Sequence, residues 1–276
     1  LRLCKVKTTL VPLEEIIVAG NRVLEGAAAS LQQSQSELGQ ELSLRFGEAE
    51  RKFVDYWFLP STQFELVALV REIDRVSDQS IREFLELTFS ATIITKSGVS
   101  MARDLAHTRP HRVRSKVPRS ALDEFRKRLS RNVRSLAVLA RAPGEARVSC
   151  GNALALPLAN ETVDLVVTSP PYAANAIDYM RAHKFSLVWF GHPLSDLSRL
   201  RRQYVGHDAV SDFVPLQLPD SAHQVVASVA RIDAKKAKVL HRYYSEMALS
   251  LAEIARALQP GTAAVVGAEN GDAHGG

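Results

Sequence analysis

Apolar positions set the first half of the chain as helical. Leu13, Ile16, Ile17, Leu24, Leu31, Leu38 and Leu42 recur near helical spacing with Gln, Ser and Glu between them, and this predicts helix over residues 13–57. Pro60-Ser61-Thr62 opens a new element, with Ser61 or Thr62 as its cap and Phe64, Leu66, Val67, Leu69 and Val70 as its apolar positions. A further helix is predicted over 80–95, carrying Ile81, Phe84, Leu85, Leu87 and Phe89. Residues 97–118 are polar, basic and broken by Pro110 and Pro118, so they read as loop. The pattern over 121–139 predicts a basic amphipathic helix.

The period changes at Pro143-Gly144. Arg147-Val148-Ser149-Cys150 is a short strand candidate. Val163-Asp164-Leu165-Val166-Val167-Thr168 is a stronger one, β-branched and short enough to be buried on both faces. Helix is predicted over 178–189, then one long helix or two abutting ones over 222–258. Gln259-Pro260-Gly261 stops the helix, and a third strand follows over 262–267. Strands alternating with helices predict an α/β fold with a mostly parallel sheet. Residues 12–143 are expected to form a helical insertion, and 144–276 together with 1–11 the α/β domain.

Composition adds little until charge is mapped. The chain has 276 residues, 46% hydrophobic and 24% charged, with a net charge of +5. No apolar run approaches the ~20 residues of a membrane helix. Cys4 and Cys150 are too few for a disulfide framework and lack metal-site spacing; Cys150 reads as a buried structural thiol in a strand. His192, His207, His223 and His241 show no metal-ligand spacing, and no metal is expected. A reducing, cytoplasmic compartment is the expectation. Between Lys96 and Arg134, however, twelve Lys or Arg face only Asp104, Asp123 and Glu124. A basic stretch of this kind suits a polyanion, with Arg112, Arg114 and Lys116 as candidate contacts to a nucleic-acid backbone. Tyr243 and Tyr244, with Met247 and Leu251, read as helix core.

The residues that carry chemistry are Thr168-Ser169-Pro170-Pro171-Tyr172, directly after the apolar strand. Ligands of open α/β sheets bind beyond the carboxyl ends of strands. Each proline fixes φ and removes an N–H donor, so the edge is stiff and rich in acceptors. That suits a substrate presenting an NH2 group. The exocyclic amine of a base is a poor nucleophile because its lone pair is delocalised into the ring. Two acceptors, the Ser169 hydroxyl oxygen and the Pro170 carbonyl, holding its two hydrogens would localise that lone pair toward a methyl donor. Tyr172 would stack on a base swung out of the duplex.

Ser-Pro-Pro-Tyr after an apolar strand resembles the catalytic motif of the DNA amino-methyltransferases, in which Ser at the first position is typical of cytosine-N4 enzymes and Asp or Asn of adenine-N6 enzymes. The resemblance spans about 145–270, through Gly151-Asn152-Ala153, Leu156-Pro157, Val163-Asp164, the run from Asp178 to Trp189, and Arg256-Ala257-Leu258-Gln259-Pro260-Gly261. It implies a Rossmann-like methyltransferase sheet, here incomplete and carrying a large helical insertion. It implies S-adenosyl-L-methionine as cofactor, with Asn152 and Thr168 near it, and DNA as partner in a nucleoid-associated, restriction–modification setting. It assigns Ser169, Pro170, Pro171 and Tyr172 to catalysis and Asp178, Tyr179, Arg181 and His183 to the substrate. Adenine-N6 or RNA base methylation, or an inert nucleic-acid-binding remnant, are the alternatives.

These enzymes hold the cofactor with a glycine-rich loop after one strand and an acidic residue at the end of the next. Neither is found here. The chain opens on Leu1 and closes on Gly275-Gly276, and both ends read as cuts in a longer sequence. Leu1 to Thr9 resembles the segment after the acidic strand, which puts the cofactor half upstream. This 276-residue chain is therefore expected to bind S-adenosylmethionine poorly. Isothermal titration checks this: weak or undetectable heat is the expected outcome, and tight binding contradicts it.

Overall fold

The computed structural model describes residues 2–94, 98–103, 105, 111–139, 144–171, 179–206 and 214–267. The chain forms two compact units, Leu1–Ser149 with Tyr179–Ser198, and Cys150–Asp178 with Arg199–Gly276.

The first unit is helical. It holds α1 (Arg2–Thr8), α2 (Leu13–Gln33), α3 (Gln35–Arg45), α4 (Glu48–Trp57), α5 (Pro60–Asp74), α6 (Gln79–Ile94), α7 (Ala121–Leu139) and α8 (Tyr179–Leu187), the last running into a 3-10 turn at Val188–Phe190. The single helix expected over 13–57 is three. Ser34, with φ −133°, leaves the helical region, and the chain is extended at Phe46 and Gly47. Helical spacing continues through these breaks, because all three helices turn apolar faces to one core, so periodicity alone does not reveal them.

Helix α5 is the centre of that core. Leu66, Val67, Ala68, Leu69, Val70 and Ile73 are all fully buried, a run too broad for one stripe, and α5 packs on α2, α3, α6 and α7. It starts at Pro60 with Leu59 as its cap residue, rather than on a Ser61 or Thr62 side chain. Proline suits that first position because its missing N–H would have no helical partner there. Helix α2 approaches α7 so closely at Gly20 that an added β-carbon would lie 2.5 Å from Leu129 Cδ2.

An aromatic cluster ties α8 and its 3-10 turn to this core. Phe185 lies 5.0 Å from both Phe53 and Trp57, and Trp189 meets Phe46 at 5.2 Å and Phe58 at 5.5 Å, mostly edge to face. The segment after the proline motif therefore belongs to the helical unit. So does α1, which packs on α6 and α7 with Arg2 paired to Glu86, although residues 1–11 were expected with the α/β domain. The boundary falls at Cys150 rather than at 144.

The second unit holds β1 (Val163–Thr168), α10 (Asp220–Ala230), α11 (Ala234–Ala257) and β2 (Leu258–Val266); α9 (Leu194–Arg201) runs across the boundary between Ser198 and Arg199. The strands pair in parallel, from Val163 opposite Leu258 to Thr168 opposite Val266, with an irregularity before Leu165 where Pro260 and Gly261 interrupt β2. The class is thus α/β, mostly helical, with a small parallel sheet. No strand forms over 147–150, and Cys150 is exposed. Nor is β1 buried on both faces. Leu165 is 56% and Val167 72% exposed, and Val265 on β2 is 55% exposed. Only two strands pair among the described residues. The region expected as one or two helices over 222–258 is two, α10 and α11, separated by Asp233, which caps α11 through Lys235 and Lys236 N–H. Among the described residues no helix is long and apolar enough to cross a membrane.

One carboxylate joins α5 to α7. Glu65 accepts from the Ala121 and Leu122 N–H groups at the start of α7 and from the Ser120 hydroxyl. A charged cap of this kind contributes about 1–2 kcal/mol. Glu65→Ala should lower the unfolding free energy by that order, seen as a reduced denaturant midpoint by circular dichroism; an unchanged midpoint would contradict the assignment.

Candidate functional site

Parallel pairing brings the carboxyl ends of β1 and β2 side by side. Gly267 N–H donates to the Thr168 carbonyl at 2.8 Å, and the proline motif begins at the next residue. Ser169 is exposed, and Pro170 and Pro171 are half-buried. Neither the Ser169 hydroxyl nor the Pro170 carbonyl has a hydrogen-bond partner among the described residues. Tyr172 and Asp178 lie outside the described residues, as does the Tyr179 side chain.

The Pro171 carbonyl, by contrast, is taken. Tyr243 of α11 donates its phenol to it at 2.8 Å. Burial, and the neighbouring Tyr244, push the Tyr243 phenol above its usual range, so it stays protonated and remains a donor. Gly206, at φ +80°, packs beside both residues, and its N–H donates to Glu246. Glu246 is buried in an ion pair with Arg242, 2.7 Å long. The inner face of α11 is thus polar, with Arg242, Ser245 and Glu246 buried and Leu251 exposed. Tyr243 is a clamp on the motif rather than the apolar core residue its helical spacing suggested.

A second polar clip holds the segment before β1. Arg256 donates to the Leu156 and Leu158 carbonyls and to Asn160, and pairs with Glu253. Glu253 also accepts from Leu156 N–H. Arg256 and that N–H hold the Glu253 carboxyl down at about 2. The clip is therefore at full strength above the ordinary carboxylate range and is lost only as pH falls toward about 2. A Glu and an Arg three apart on a helix are visible in the sequence; their reach to residues 156–160 is not.

Asn152 and Thr168, the residues expected near the cofactor, both belong to the unit that holds the proline motif. The Asn152 side-chain oxygen accepts from Leu154 N–H at 3.0 Å and closes its own turn. Thr168 offers a half-buried side chain, and its carbonyl is held by Gly267. No glycine-rich loop follows a strand among the described residues. Among the described residues no cluster of three His, Cys, Asp or Glu could hold a metal.

His183 and Arg181 lie on α8, within the helical unit, while Ser169 and the prolines belong to the other. Desolvation lowers the His183 imidazole below its usual value, so it is mostly neutral at pH 7 and a weak partner for phosphate.

Two of the three basic-loop candidates are built into the fold. Arg112 stacks its guanidinium 5.0 Å from the Tyr56 ring, with its Nε buried. Lys116 is half-buried and donates to the Ala102 carbonyl at 2.6 Å. Arg114 is exposed. The cause is local: residues 98–103 and 111–119 fold back on the helical unit, through the bridge between Ala102 and Arg112 and the bond from Met101 N–H to the Trp57 carbonyl. Long basic side chains at that fold bury their stems and use their heads on nearby carbonyls and rings.

Comparisons with protein families, curated proteins and solved structures find no match to this chain.

Lys116→Ala should remove one charge-assisted hydrogen bond, costing about 1–2 kcal/mol, whereas Arg114→Ala should leave stability unchanged. Thermal melts of the two variants check this; equal midpoints would return Lys116 to the surface.

Proposed function

We propose that this chain is part of an enzyme that methylates the exocyclic amine of a DNA base, cytosine N4 foremost. One observation carries the reading. At the carboxyl end of a parallel strand, an exposed serine is followed by a proline whose carbonyl has no hydrogen-bond partner among the described residues, and the next proline carbonyl is held by the Tyr243 hydroxyl. Adjacent acceptors on a stiff backbone suit the two hydrogens of an aromatic amine. Holding both draws the nitrogen lone pair out of conjugation and directs it at the incoming carbon, and fixed geometry supplies most of the rate. Serine in place of Asp or Asn favours cytosine. The donor would be S-adenosylmethionine: its S–CH3 bond would break as the N–CH3 bond forms, S-adenosylhomocysteine would leave, and the amine would give up one proton to solvent.

The parallel pair also supports a larger, Rossmann-like sheet. Solvent-facing Leu165, Val167 and Val265 are what neighbouring layers cover in such folds. Cytoplasmic, nucleoid-associated action on DNA accords with this reading.

A second reading, a nucleic-acid-binding chain without catalysis, draws on Asn152, whose side chain is engaged in its own turn.

Mass spectrometry of nucleosides from DNA of cells expressing the gene separates the two. N4-methylcytosine above background is expected, and Ser169→Ala should lower it about a hundredfold, the scale of losing one positioned polar group at a reacting centre. Absence of any methylated base in DNA would favour the inert reading, and undiminished methylation by Ser169→Ala would remove the serine from the mechanism.

A further inference from the structure

We infer that the solvent face of α7, through Arg126, Lys127, Arg131 and Arg134, is the surface that grips a nucleic-acid backbone. This rests on the reading of the chain as one that acts on DNA, and it moves the contact away from the loop containing Arg112 and Lys116.

Helix α7 has two faces. Ala121, Phe125, Leu129, Val133 and Leu136 are buried in the helical unit, and Asn132 bonds Thr88 of α6. Opposite them, Arg126, Lys127, Ser130, Arg131, Arg134 and Ser135 are exposed. Positions 126, 130 and 134, and 127, 131 and 135, lie four apart and so line up along the helix. From Arg126 to Arg134 the stripe runs about 12 Å, at about 1.5 Å per residue. That is the scale of a few phosphates along one strand, spaced about 3.4 Å along the duplex axis.

The charge on this face is unbalanced. After Glu124 the helix carries no acid through Leu139. Arg131 and Arg134 have no carboxylate in ion-pair range among the described residues. Arg126 and Lys127 pair with Asp123 and Glu124 one turn back, but the cationic side chains are well exposed. Such pairs are weak and screened, so both cations can turn to a phosphate. The serine hydroxyls on this face donate to the Arg126 and Arg131 carbonyls one turn back, so the cations alone supply the charge for a phosphate.

The same geometry selects the partner class. A basic amphipathic helix binds a lipid surface by inserting its apolar face. That face of α7 is already used in the core, where Phe125 is fully buried. What remains is charge on a rigid rod, which suits a polyanion with regularly spaced phosphates. The contacts carry no base readout, so the expected binding is independent of sequence and steep in salt.

The test is fluorescence anisotropy of the full chain with a labelled DNA duplex over a range of salt. Arg131→Glu with Arg134→Glu should weaken binding at least tenfold and flatten the salt dependence by about two phosphate equivalents. Lys235→Glu with Lys238→Glu, an equal charge change at exposed positions of α11, should do neither. Matched circular dichroism melts keep folding out of the comparison. Equal loss in both double variants, unchanged affinity in the α7 variant, or capture by anionic phosphatidylserine vesicles with no duplex binding would overturn the assignment. Nucleoside analysis separates this from the enzymatic reading. Lost duplex binding in the α7 variant with no methylated base in wild-type DNA upholds the stripe alone; methylated DNA with unchanged binding upholds the chemistry alone.

Discussion

Two strands running in the same direction are the constraint from which the candidate site arises. Parallel pairing of Thr168 with Val266 forces both chains to leave the sheet at one edge, and Gly267 N–H pins the Thr168 carbonyl there. Ser169 to Pro171 then start from a fixed point at that edge. Two prolines limit where the backbone can go, and Tyr243 takes the second carbonyl. The open acceptors at Ser169 and Pro170 result from those restrictions; no buried residue is needed to hold them.

Polar contacts carry much of this unit. Its parallel strands expose apolar side chains, and the inner face of α11 buries Arg242, Ser245 and Glu246. The Arg242–Glu246 pair, the Arg256 clip and the Tyr243 bond each fix geometry through directional hydrogen bonds. For the buried Arg242–Glu246 pair, desolvation offsets much of the attraction between the charges. The helical unit works the other way, with Leu66 to Val70 and the cluster around Phe185 and Trp189 giving it an apolar core.

Legibility in the sequence tracks the range of the forces involved. Helices over 80–95 and 121–139, and the strand over 163–168, are legible because their apolar spacing is local. So is the exposed Ser169 at the end of that strand. Breaks at Ser34 and Gly47 are not, because each short helix keeps the same phase toward one core. The exposure of β1 is hidden because an apolar, β-branched run has the same pattern whether or not covering layers are present. Tyr243, spaced like a core residue, acts through its hydroxyl on Pro171, 72 positions earlier. Arg112 and Lys116 count as charge in a sequence, yet the fold of their loop sets them on a ring and a carbonyl. Helix α7 shows the reverse case: its amphipathic period does state which cations face water.

The aromatic cluster has an optical consequence. The two tryptophans of the chain, Trp57 and Trp189, both lie in it, within the helical unit. Intrinsic tryptophan emission therefore reports on that unit and is blind to the one holding Ser169. Among the described residues, Tyr204, Tyr243 and Tyr244 are the native chromophores of the other. Any attempt to see whether the two melt together or apart needs both wavelengths, since a single red shift on heating would describe only half of the molecule.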